Sequence, residues 1–120
     1  MAYQDPRETI EVTIANAASL SGAAVIGGRV LIGVITPAVW TAAAISFEGS
    51  NDGTTFYPMY DQAAELTIAT GIISATEARY FAVDHTEFAG LSSIKVRSGV
   101  NGTPVAQGAA RTVKLVVRGV

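Results

Sequence analysis

Apolar and polar residues alternate along four stretches of this chain with the period of two that a half-buried strand shows. Ile10, Val12 and Ile14 alternate with Thr9, Glu11 and Thr13, and Ala43, Ile45 and Phe47 with Ala44, Ser46 and Glu48. Ile94 and Val96 alternate with Lys95 and Arg97, and Val113, Leu115 and Val117 with Thr112, Lys114 and Arg118. Each stretch predicts a strand with one face in a core and the other toward solvent. Residues 23–35 are apolar on both faces around Gly27-Gly28 and predict a break followed by a strand over 29–35 buried on both sides. Shorter strands are expected over 64–69 and 79–83, and no stretch makes a convincing helix.

The segments between these strands carry turn chemistry. Trp40 to Asp61 reads as strand, tight turn, strand, with Ser50-Asn51-Asp52-Gly53 as the turn. Asn and Asp bond their own backbone there, and Gly53 accepts a positive φ without steric cost. Phe56, Tyr57 and Tyr60 open the return strand. Ser74 to Glu77 matches a helix capping box weakly. Phe88 and Leu91 are expected to anchor a corner over 84–90, and 99–110 reads as a long loop. The pattern predicts an all-β, single-domain sandwich or jelly roll of about seven to eight strands. Residues 1–8, polar and broken at Asp5-Pro6, read as an N-terminal arm, and 9–120 as the domain.

Composition changes this picture at one point. Only 15% of the 120 residues are charged, against roughly 25% in a typical soluble domain. A small domain has a large surface, so the shortage of charge predicts apolar surface buried against other chains. Self-association is expected, with a trimer as the favoured form. The chain has no cysteine, which excludes a disulfide framework. Residues 30–47 are uncharged, but Pro37 and the β-branched content point to two consecutive strands rather than a membrane span.

A net charge of −2 gives no support for nucleic-acid binding. Its distribution says more. All ten acids lie in residues 1–88 with three arginines, whereas Lys95, Arg97, Arg111, Lys114 and Arg118 lie beyond with no acid. Pairing of the first and last strands would neutralise this within one subunit. The alternative is a polar subunit whose basic end meets a partner, with Arg97 and Arg111 nearest to it.

Candidate chemistry is sparse. His85 stands alone between Asp84 and Glu87, and neighbouring residues on a strand face opposite ways, so it reads as a polar corner rather than a metal site. No nucleophile elbow, phosphate loop or dinucleotide fingerprint occurs, so no enzyme and no cofactor are expected. Trp40 and Phe56 read as core residues, and Tyr57 and Tyr60 as contact residues.

The hairpin residues Trp40, Ala43, Ile45, Phe47, Ser50, Asp52 and Gly53 resemble a pattern found in small virion proteins of tailed bacteriophages. Lys95-Val-Arg-Ser-Gly99, then Pro104, Val105 and Gln107, and the basic strand 111–117 continue it, so that 40–118 are covered. The resemblance implies a structural protein, foremost a capsid decoration or cement protein on the virion exterior, made in the host bacterial cytoplasm. Its partners would be copies of itself and the phage major capsid protein, without nucleic acid or membrane. Tyr57, Tyr60, Arg97, Pro104, Gln107 and Arg111 are the expected interface residues, and Asn51, Asp52 and Gly53 the structural turn. The alternative is a binding module at tail, neck or fibre that contacts host glycans through Tyr57, Tyr60 or Trp40.

Overall fold

The computed structural model describes residues 7–119. The expected arm lies largely outside them, and Arg7 and Glu8 already belong to the first strand. Ten strands follow in chain order: β1 (Arg7–Ile14), β2 (Ala24–Val25), β3 (Val30–Ile35), β4 (Ile45–Ser50), β5 (Tyr57–Pro58), β6 (Thr67–Ile68), β7 (Tyr80–Ala82), β8 (Ser93–Val100), β9 (Thr103–Pro104) and β10 (Arg111–Arg118). Short 3-10 turns occupy Thr70–Ile72 and His85–Phe88. The weak capping signal at Ser74 starts no helix. Its hydroxyl accepts the Thr76 amide at 3.1 Å and closes a local turn instead.

The fold is all-β, and the strands form two antiparallel sheets. One has the order β1-β10-β3-β7, and the other β2-β8-β4-β5, with β6 beside β4 and β9 beside β8. The chain crosses between sheets in the uncharged stretch, since β3 lies in the first sheet and β4 in the second. Among the described residues no helix is long and apolar enough to cross a membrane. The strand count exceeds the expected seven to eight because β2, β5, β6 and β9 are two-residue ladders, too short to leave a period in the sequence.

The alternation assigns the core correctly. Val12, Ile14, Val113, Leu115 and Val117 from one sheet pack against Ile45, Phe47, Ile94 and Val96 from the other. Phe47 meets Phe88 edge to face, with ring centroids 5.3 Å apart, so the corner anchor is where the sequence places it. Trp40 is buried, and its indole N–H donates to the Ala43 carbonyl at 3.0 Å. Phe56 does not join the core. It lies on the outer face of the second sheet beneath Lys95, whose ammonium stands 4.4 Å from the ring centroid.

The first and last strands pair over their full length, Arg7 opposite Arg118 through Ile14 opposite Arg111. Glu11 therefore stands directly across from Lys114. One part of the charge asymmetry is thus met inside one subunit, while Arg118 faces Arg7 and Arg111 faces Ile14.

Candidate interaction surfaces

The hairpin turn is built as its residues predict. The Ser50 hydroxyl accepts the Gly53 amide at 2.8 Å and donates to the Asp52 carboxylate at 2.9 Å. The Asp52 carboxylate also accepts the amides of Thr54 and Thr55 at 2.8 and 3.0 Å. Gly53 has φ +80°, the left-handed region that glycine enters freely. Hydrogen bonds from the Thr55 and Thr54 amides, then from Ser50, hold the Asp52 carboxyl below its ordinary value.

This turn and the return strand present Tyr57 and Tyr60 to solvent, both more than half exposed. They flank an open pocket of about 350 Å³ lined also by Gly49, Asn51, Pro58, Met59 and Leu91. Pro58 opposite Glu48 and Tyr57 opposite Gly49 set this geometry. The structure therefore brings two of the expected interface residues together on an aromatic shelf with an apolar floor.

Arg97 is not on that surface, nor on any other. Its side chain is only 7% exposed, ion-paired with Glu48 and 3.7 Å from Glu65. The expected role at a partner interface fails for a register reason. Arg97 lies opposite Ser46 and Glu48 opposite Lys95 on the outward face of β8 and β4, so Arg97 and Glu48 are diagonal neighbours. Glu65 then covers them and accepts the Asn101 amide at 2.9 Å. The Ser46 hydroxyl donates to the Gly99 carbonyl at 2.7 Å and completes a polar layer.

Gln107 is likewise buried, which overturns its assignment as a contact residue. Its amide nitrogen donates to the Thr41 carbonyl at 3.0 Å and the Ser98 hydroxyl at 2.7 Å. Its amide oxygen accepts the Thr41 amide at 2.9 Å and Arg111 Nε at 3.1 Å. The 99–110 segment is thus no free loop. Residues 100–103 turn tightly, β9 pairs back onto β8, and Gln107 fastens the return. Arg111 is half-buried against Gln107 and Thr41, leaving Pro104 as the one expected residue of this segment that is exposed.

A second cleft, of about 380 Å³, opens between the sheets where β6 and β7 form adjacent edges. Phe47, Phe81, Phe88, Leu66 and Ile68 line it, with Asp84 and Glu87 at its rim. Thr86 donates its hydroxyl and its amide to Asp84, which holds that carboxyl low. Desolvation first, then Asp84 and Asp61, push the Glu87 carboxyl up. Among the described residues no three His, Asp or Glu side chains group as a metal site.

Sequence reasoning missed Glu48 and Glu65 as the partners of Arg97, and Tyr80. The hydroxyl end of the Tyr80 side chain closes on Gly33 of β3, where a Cβ would meet its hydroxyl at 2.1 Å. A glycine inside an apolar strand is the signal for such a close approach.

No family model matches the chain, and no curated protein matches it in sequence. The fold is similar to the crystal structure of the SPBc2 prophage-derived protein YomS. The match covers 98% of each chain with a TM-score of 0.51 and 16% sequence identity. At that identity the likeness is one of fold.

Proposed function

We propose that this chain is a non-enzymatic bacteriophage virion protein that decorates the exterior of the head and stabilises the shell. The observation that carries the reading is the likeness of fold, over 98% of both chains, to a prophage-derived protein. The resemblance of residues 40–118 to small virion proteins points the same way. Five of the carboxylates are engaged in holding the fold: Glu48 and Glu65 brace Arg97, and Asp52, Asp61 and Asp84 accept backbone amides in turns. The surface that remains is poor in charge and carries an aromatic shelf. Tyr57, Tyr60, Met59 and Leu91 suit a docking site on the major capsid protein, since aromatic and Met side chains are enriched at interface centres.

The test is add-back to particles made without this gene product. Purified protein is expected to saturate the heads and to raise the temperature at which they release DNA. A Tyr57→Ala/Tyr60→Ala variant should saturate them only at higher concentration. Attachment confined to tails or necks would contradict the head assignment.

One observation favours a second reading. Asn51 stands beside the exposed rings of Tyr57 and Tyr60 in an open pocket, an arrangement that stacks sugars and bonds their hydroxyls. In that case the protein is a tail or fibre module, and the same double variant lowers adsorption to host cells instead of head binding.

A further inference from the structure

Edge strands invite pairing with other chains, and folds blunt them by keeping them short or by placing Pro, Lys or bulges on them. This protein follows that rule at five edge strands. β2, β5, β6, β7 and β9 run two or three residues each. β1 breaks it, with eight residues at the edge of the four-stranded sheet. It contains no Pro, Gly or Lys, and its register with β10 runs without a bulge. Apart from the ladder to β10, no backbone hydrogen bond reaches residues 8–14 among the described residues.

The charges on β1 specify what would pair with it. Arg7, Thr9, Glu11 and Thr13 share the outer face, and Val12 and Ile14 are buried on the inner one. Directly opposed residues in an antiparallel pair share a face. Two copies of β1 meeting about Thr9 would set Arg7 opposite Glu11 twice. The register about Ile10 opposes Arg7 to Thr13 and Glu11 to Thr9, and the register about Glu11 opposes two like charges.

We infer that β1 is a dimerisation edge on which a second copy of this chain pairs antiparallel about Thr9. The two four-stranded sheets then become one continuous sheet. Two subunits replace the three expected from the charge deficit, because a self-complementary edge closes on a two-fold axis. The inference stands apart from the virion reading and is tested on the isolated protein.

The chain lacks cysteine, so single-cysteine variants report cleanly. Opposed Cα atoms in an antiparallel pair lie about 4.5–5.5 Å apart, within the roughly 4.4–6.8 Å that a disulfide spans. Thr9→Cys is expected to become a disulfide-linked dimer under mild oxidation, while Thr13→Cys is not. Wild type should sediment as a dimer, Glu11→Arg should associate roughly tenfold more weakly, and Arg7→Glu/Glu11→Arg should recover association. Should Glu11→Arg fail to fold, wild-type sedimentation and the Thr9→Cys crosslink still decide. A monomeric wild type, or a dimer crosslinked through Thr13→Cys but not Thr9→Cys, overturns the inference.

Discussion

Arg97 of β8 and Glu48 of β4 form an ion pair on the outward face of the six-stranded sheet, beneath the segment that carries Glu65. The pair ties the central strands of that sheet to the connection between β5 and β6 and, through Asn101, to the β8–β9 turn. A buried charge left without its partner is expensive, because desolvation is no longer offset by Coulomb attraction and hydrogen bonds.

Arg97→Ala should therefore destabilise the protein by about 3–5 kcal/mol, read as a lower urea midpoint at unchanged slope. Arg97→Glu places a third carboxylate against two others and should abolish folding at neutral pH. A charge reversal here consequently tests the fold rather than a partner contact. A variant melting with wild type would show that the layer is open to water.

Gly99 and Gly53 both have positive φ, at +94° and +80°, yet they should differ in tolerance. A Cβ at Gly99 would lie 2.6 Å from the Thr103 carbonyl oxygen, whereas at Gly53 the nearest atom is a serine hydroxyl at 3.4 Å. Gly53→Val is expected to cost about 1–2 kcal/mol for the left-handed backbone alone. Gly99→Ala should cost about 3 kcal/mol, since the β8–β9 turn must also open. Thermal melts of the two variants give the order directly.

Gln107→Ala should cost about 2–3 kcal/mol, because it leaves Thr41 and Ser98 polar groups without a partner in partly buried surroundings. Amide exchange should accelerate at Thr41 and Gly108 ahead of β4. Exchange at the wild-type rate would mean that the 99–110 segment holds its shape without the glutamine.

Much of this architecture is legible in the sequence, and the misses share a cause. Strands of six or more residues with one wet face, such as β1 and β10, announce themselves through alternation. The two-residue ladders do not, since a single period cannot show a repeat. Alternation also assumes that the polar face is wet. Ser46, Glu48 and Arg97 obey the period, yet the 59–66 segment folds over them, a long-range event that no local pattern encodes. Gln107 sits among Gly, Ala and Val, where a lone amide reads as solvated, and only the positions of Thr41 and Ser98 disclose its role. The Tyr57–Tyr60 shelf was legible because aromatic rings beside a turn and a proline have little room to be buried.

The cleft rim supplies a pH prediction. Folding raises the Glu87 pKa, chiefly by desolvation and then by the Asp84 and Asp61 charges. The stability this group contributes is therefore present below the ordinary carboxylate value and lost as pH rises through the raised one. Glu87→Gln should melt slightly above wild type at neutral pH, and the difference should close in acid. Asp52, Asp61 and Asp84 behave oppositely. Their lowered values contribute stability that disappears as pH falls through them. A Glu87→Gln advantage that persists in acid would place its origin outside this carboxylate cluster.

The most direct measurement of the central claim is the ratio of this protein to the major capsid protein in purified phage particles, determined by quantitative mass spectrometry. The virion-surface account predicts a fixed stoichiometric ratio set by the shell lattice, retained through repeated gradient purification. Absence from particles, or a number matching a single tail or neck ring, would contradict it.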